Sequence, residues 1–213
     1  MVNMRNDGYL VSLDLSNARV VFIGGGHIAT GKLMRLPDYI GEVVVIAPDI
    51  SATIINFLAG TGWNYELCTR KYRPEDLDFC TIVFAATQDR GLNRRICEDA
   101  RARGVLANDV SGSGEGTFTN VASIKRGGFT IGVTSSPPVP GLSVAICRLI
   151  DNALPDELAE LLELAARIRA KAHSDGLSLD GVDWMKVFDP GIFELIRMGE
   201  ISKAEESLAK CLL

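Results

Sequence analysis

A chain of 213 residues has room for one nucleotide-binding domain and a smaller appended region, but not for two large domains. Its 47% hydrophobic and 23% charged residues are those of an ordinary folded protein, and 27 acidic against 22 basic side chains (net charge −5) exclude the basic footprint of a nucleic-acid binder. Short basic runs such as Arg94-Arg95, and Arg101 with Arg103, are interleaved with acids and read as solvated helix faces. Five scattered cysteines without a CxxC pair fit a reducing compartment, and neither a signal-peptide core nor a membrane-length apolar run is present. A cytoplasmic location without nucleic-acid or membrane partners is therefore expected.

In chain order, Arg19 to Ile23 is a β-branched and aromatic run that stops at three glycines, and Glu42 to Ala47 is another that stops at Pro48. Trp63 to Cys68 alternates less cleanly. Thr81 to Ala86 is again continuous, and Val105 to Val110 is a weaker fifth run. Near-continuous apolar strands predict a parallel sheet buried on both faces. Between them, residues 51 to 59 form a short predicted helix. Residues 89 to 104 form a longer one, with Leu92, Ile96, Cys97 and Ala100 on one face, Asp89 as N-cap and Gly104 as stop. The alternation predicts an α/β, Rossmann-like doubly wound domain over residues 1–112.

After residue 112 the pattern changes. A glycine-rich stretch (Ser111 to Gly116) is read as a flexible loop. It precedes two predicted strands, Phe118 to Lys125 and Phe129 to Val133, joined at Gly127-Gly128, a pair that favours a tight hairpin turn. A proline-rich segment leads to helices from Leu142 onward. Asp156 to His173 carries Leu158, Leu161, Leu162, Ala165 and Ile168 on one face, and Asp189-Pro190 opens a short helix that Gly199 closes. The expected organisation is a small α+β dimerisation region over 113–154 and a helical region over 155–213. Too little core for independent folding is expected there, hence packing on a partner subunit.

The chemistry-bearing signal is Gly24-Gly25-Gly26-His27-Ile28-Ala29, a G-x-G-x-x-A between a predicted strand and a predicted helix. Gly24 permits the tight turn, Gly26 lets the backbone approach a pyrophosphate, and Ala29 keeps helix and strand close. Strand, motif, helix and second strand in that order point to a dinucleotide. The second strand ends Ala47-Pro48-Asp49. Asp49 either reaches the ribose hydroxyls or caps the helix beginning near Ser51. No cation lies between Ala47 and Ser51, which favours NAD over NADP. His27 reads as a cofactor-loop residue whose backbone matters more than its imidazole, and no metal site is expected.

Several segments carry a family resemblance: Leu13-Asp14-Leu15 with Val20 to Ala29 and Lys32; Val44 to Pro48; Tyr72 to Leu77; Ala85-Ala86-Thr87-Gln88-Asp89 with Leu92 to Arg95; and Gly127 to Ser135. Together they resemble the precorrin-2 dehydrogenases, including the N-terminal part of siroheme synthases, from about residue 10 to residue 155 and more loosely beyond. The resemblance implies NAD-dependent oxidation of precorrin-2 to sirohydrochlorin by a homodimer, with iron insertion in some members. On this reading the cofactor-binding residues are Gly24, Gly26, His27, Ile28, Ala47, Pro48, Asp49, Ala86 and Thr87. Lys125, Arg126 and Arg148 are either ligands for the substrate's carboxylates or ordinary surface residues.

The sequence departs from the family in the substrate region. The aspartate expected three residues after the strand-ending Asn108 is Ser111; Asp109 is near, two residues before it. Val121 stands where a proline is usual, Ser136-Pro137 replaces a glycine pair, and Pro37 shortens the first helix. Ser111 and Asp109 are thus the candidate catalytic residues, and the chelatase step is more doubtful than dehydrogenation. The alternatives are a relative that binds NAD or a tetrapyrrole with impaired catalysis, and a Rossmann oxidoreductase for another small substrate. The second is weakened by the lack of a Tyr-x-x-x-Lys pattern.

Overall fold

The computed structural model describes residues 8–112, 114–136 and 138–212. They fall into two compact units, Val11–Asn120 and residues 8–10 with 121–212.

In the first unit five strands, β1 (Arg19–Ile23), β2 (Glu42–Ile46), β3 (Tyr65–Cys68), β4 (Ile82–Ala85) and β5 (Leu106–Asp109), form one parallel sheet in the order β3-β2-β1-β4-β5. Because side chains alternate across a strand, each apolar run supplies two cores. Val20, Phe22, Val43, Val45, Ile82 and Phe84 face Ala29 and Leu33 of α1 (His27–Leu33) and Ile54 and Leu58 of α2 (Ala52–Gly60). Val21, Ile23, Val44, Ile46, Val83 and Ala85 pack with Ile96, Cys97 and Ala100 of α3 (Arg90–Ala102). Phe22 and Phe84 stack at 4.6 Å between centroids. The Asp89 carboxylate caps α3, accepting from the Gly91 and Leu92 amides at 2.8 and 3.1 Å, and α1 ends at Leu33, ahead of Pro37.

Residues 116–118 depart from the expected loop and strand. The Thr117 and Phe118 amides both donate to the Ala107 carbonyl (2.8 and 3.2 Å), the Thr117 hydroxyl accepts from the Ala107 amide (2.8 Å), and Asn108 Nδ2 donates to the Phe118 carbonyl (3.1 Å). The Phe118 ring meets Phe84 edge-on at 5.8 Å. This segment therefore belongs to the first unit, and the strand expected from Phe118 begins only at Ala122.

In the second unit β6 (Ala122–Arg126) and β7 (Phe129–Val133) form the antiparallel hairpin, with Gly127 left-handed at φ +54°. The helix α4 (Pro140–Ala153) packs on it, with only Ser143 and Cys147 of its residues buried. Then α5 (Leu158–Ser174), α6 (Pro190–Arg197) and α7 (Ile201–Leu212) enclose Leu158, Leu161, Leu164, Ile168, Ile192, Phe193, Ile196, Ala204, Leu208 and Leu212. The helical region therefore has a core of its own, contrary to expectation. Leu164, not Leu162 or Ala165, completes its buried stripe. No helix among the described residues is long and apolar enough to cross a membrane.

Candidate functional site

The C-terminal edge of the parallel sheet is where α/β folds place ligands, and the three glycines after β1 are built there. Gly24 has φ +124°, and a Cβ on it would drive into the Ala86 carbonyl at the end of β4. A Cβ on Gly25 would lie 2.7 Å from Ile50 Cα. Both glycines are thus demanded by neighbouring backbone. Gly26 differs: a Cβ there meets nothing within 4 Å, so its small size answers to no protein atom and keeps the approach to the turn open. The turn is tied on both sides, the Gly24 amide donating to the Ile46 carbonyl (2.9 Å), Ser51 N–H to the Gly25 carbonyl (3.0 Å) and Ala86 N–H to the Ile23 carbonyl (2.8 Å). Gly26 opens α1 without a side-chain cap, which leaves first-turn amides available beside it. His27 is exposed and Ile28 is 43% exposed.

On the β2 side Ala47 is buried, whereas Pro48 and Asp49 are exposed. Ser51 caps α2, its hydroxyl accepting from the Ile54 amide, so Asp49 is not used as the cap. Pairing of β2 with β3 brings up cations that the Ala47–Ser51 window does not contain. The Ala47 and Arg70 amides donate to the same Cys68 carbonyl (3.2 and 2.9 Å). The Arg70 guanidinium grips the Asp76 carboxylate with both arms (2.9 and 2.6 Å), and the Arg73 amide donates to the same carboxylate at 2.7 Å. Burial works against the charge of Asp76, but the Arg70 ion pair and the Arg73 amide outweigh it and hold the carboxyl below its ordinary 3.8. Its contribution to stability is then complete above the unfolded value and is lost as pH falls through the lower folded value. As pH falls below about 4 the melting temperature should fall more steeply in the wild type than in Asp76→Asn, as scanning calorimetry would show.

On the β4 side Ala86 is buried and Thr87 is held by the fully buried Asn93 of α3. Asn93 Oδ1 accepts from the Thr87 amide (3.1 Å) and hydroxyl (2.7 Å), and its Nδ2 donates to the Thr87 carbonyl (3.1 Å). At the end of β5, Asp109 and Ser111 come together. The Asp109 carboxylate accepts from both the Ser111 amide (2.9 Å) and hydroxyl (2.7 Å), because the strand ends at Asp109 and the chain turns. Burial and the nearby Asp109 charge push the Cys97 thiol up to about 11, so it is not a nucleophile near neutral pH. Among the described residues no group of three or more His, Cys, Asp or Glu side chains is arranged to hold a metal. In the second unit Arg126 is engaged by Asp151 (2.7 Å) and Asp156 (3.0 Å), while Lys125 and Arg148 are exposed.

Residues 11–122, just over half of the chain, match the family model described as putative NAD(P)-binding. The chain belongs to this family. The putative NAD(P)-binding span runs from ahead of β1 to the start of β6, so it takes in the glycine turn, the Asn93 clamp and the Asp109–Ser111 pair. The chain is also similar to the siroheme synthase of Pseudomonas fluorescens, 33% identical over 199 residues, and to that of Pseudomonas putida, 35% identical over 197. These alignments cover 92% and 91% of the chain but 42% of each relative, so the chain spans about two fifths of the length of the curated relatives it matches. Among solved structures it shares its fold with the precorrin-2 dehydrogenase SirC, with a TM-score of 0.72, 21% identity, and coverage of 93% of this chain and 99% of that one.

Two features of this NAD(P)-binding domain escape a reading by motif alone. Gly25 occupies a variable position of the motif, yet the Asp49-Ile50 backbone requires it to be glycine. Asn93 has the look of an ordinary polar helix residue. Beyond its membership of the Leu92 to Arg95 segment, its sequence signal is its place in the first turn after the Asp89 cap, facing back along the helix toward Thr87.

Proposed function

We propose that the protein is an NAD-dependent dehydrogenase that oxidises precorrin-2 to sirohydrochlorin, acting in the cytoplasm as a homodimer. The observation that carries this is the open approach at Gly26, in a turn otherwise clamped by backbone. It lies in a chain similar over nine tenths of its length to siroheme synthases. When bound, NAD⁺ supplies a two-electron acceptor that takes a hydride from the substrate. Precorrin-2 and NAD⁺ give sirohydrochlorin, NADH and a proton. The chain's own contribution is to seat the dinucleotide against Gly26 and the amides of α1, and to fix the flanking backbone at Ala86-Thr87 through Asn93. Asp109 takes up the departing proton, with Ser111 holding its carboxylate in place.

The Asp109–Ser111 pair also supports the view that iron insertion is poor. Chelation must strip both pyrrole protons, and at this position Ser111 supplies a hydroxyl where a second carboxylate would serve. Anaerobic incubation with precorrin-2 and NAD⁺, followed by Fe²⁺, tests both parts. NADH should form on the first addition, and no iron-dependent product should follow the second. Absence of NADH with authentic precorrin-2 would overturn the dehydrogenase reading.

The homodimer reading rests on α4. It leaves Leu142 (56%), Ile146 (37%) and Leu149 (65%) exposed along one face, an apolar surface on the element whose only buried residues are Ser143 and Cys147. Five free thiols and no disulfide fit the reducing compartment. Leu149→Glu should convert the dimer to a monomer in sedimentation velocity at micromolar concentration, with the helical content of the circular dichroism spectrum unchanged.

A further inference from the structure

We propose that the Arg70–Asp76 ion pair sets the preference between the two nicotinamide dinucleotides, because it withholds from the adenosine ribose a forked cation that a 2′-phosphate would use. The inference rests on the reading that the glycine turn seats a dinucleotide.

In a parallel sheet of this order the adenosine half of a dinucleotide lies beyond the C-terminal end of β2. Its neighbour on the outer side is β3, whose last residue, Cys68, pairs with Ile46. The Cys68 carbonyl accepts both the Ala47 amide and the Arg70 amide, so the Arg70 backbone joins the end of β2 through one shared acceptor, two residues before Asp49. A guanidinium at this edge has the planar, bidentate geometry that suits a phosphate. Here the fork is occupied. Nη1 and Nη2 each hold one oxygen of Asp76, and Nη1 also donates to the Lys71 carbonyl at 3.1 Å.

The carboxylate cannot release the fork cheaply. Asp76 is 7% exposed, sits in the short 3₁₀ turn Pro74–Leu77 and is fixed by the Arg73 amide, so a departing Arg70 would leave a buried charge unanswered. Arg70 itself is 36% exposed, so a released side chain would meet solvent and ligand. The exposed Asp49 carboxylate on the β2 side adds a negative charge that suits ribose hydroxyls and opposes a phosphate. Lys71 and Arg73 are exposed cations in the same loop, and the test separates them from Arg70.

Affinities of the full chain for NAD⁺ and NADP⁺ are measured by titration calorimetry for wild type, Asp76→Asn, Arg70→Ala and the double variant, with melting temperature recorded for each. Asparagine keeps an acceptor for the Arg73 amide, which preserves the turn. Wild type should favour NAD⁺. Asp76→Asn should tighten NADP⁺ about tenfold, the value of one new charge-assisted contact, with NAD⁺ unchanged. Arg70→Ala should keep the wild-type ratio, and the double variant should lose the gain. Unchanged NADP⁺ affinity in a folded Asp76→Asn protein overturns the proposal. So does a gain that survives loss of Arg70, which would assign the phosphate to Lys71 or Arg73. If Asp76→Asn does not fold, Arg70→Ala decides alone: a weakened NADP⁺ affinity overturns the proposal and an unchanged one supports it. A wild type that binds neither dinucleotide removes the underlying reading, and this inference with it.

Discussion

Gly26→Val is expected to leave the protein folded while weakening NAD⁺ binding by about 10- to 100-fold, the effect of forcing ~1–3 kcal/mol of overpacking into the bound state alone. The asymmetry among the three glycines is what makes this informative. At Gly26 a side chain meets no protein atom, so the cost should appear only when the dinucleotide arrives. At Gly24 the same substitution meets the Ala86 carbonyl from a left-handed backbone, and it should cost stability before any ligand is present. Melting temperatures and NAD⁺ titrations on Gly26→Val and Gly24→Ala therefore separate a binding position from a folding position. A Gly26→Val protein that binds NAD⁺ like wild type would remove the pyrophosphate from this turn.

Asp109→Asn should lower kcat by about 10²–10⁴-fold, the usual worth of a general acid–base group, with NAD⁺ affinity little changed. Asparagine still accepts from the Ser111 amide and hydroxyl, so the turn survives and the loss reports on proton transfer. Ser111→Ala removes one hydrogen bond to the carboxylate and should cost much less, about tenfold or below. Ser111→Asp puts a second carboxylate within reach of the first. Two like charges so close cannot both ionise at their ordinary values, so the pair should retain a proton to higher pH and shift the acid limb of the pH–rate profile upward. Steady-state rates for the three variants across pH check this. Full activity in Asp109→Asn would exclude that carboxylate from the chemistry.

The centre of the sheet was legible because β1, β2 and β4 are apolar runs whose two faces are both covered, whereas β3 and β5 are part polar. Phe118 was misread for a physical reason. Phe118 to Lys125 has strand composition throughout, but its first residue finds the Phe84 ring, more than thirty positions earlier in the chain, and no local pattern reports that contact. Asp76 was not legible either. An acidic residue in Pro-Glu-Asp-Leu reads as surface, and it is buried only because Arg70 and the Arg73 amide reach it. Asp109 and Ser111 stand two positions apart, so alternation along an extended strand already puts them on one face. The bond between them was legible too, since aspartate bonding the amide two residues on is a common turn. The glycine turn was legible in outline, but the distinct duties of its three glycines depend on Ala86, Asp49 and Ile50, which lie far off in sequence.

The bonds that Thr117 and Phe118 make to Ala107 bear on how molecules of this protein meet one another. β5 is a border strand of the sheet, and a border strand offers amides and carbonyls to any passing β-segment. At Ala107 both groups are already answered, the carbonyl by two amides and the amide by the Thr117 hydroxyl, and the Phe118 carbonyl is held by Asn108. The linker leading out of the first unit therefore serves as a guard rail along that border, and weakening it would invite sheet-to-sheet aggregation without touching a residue of the cofactor turn.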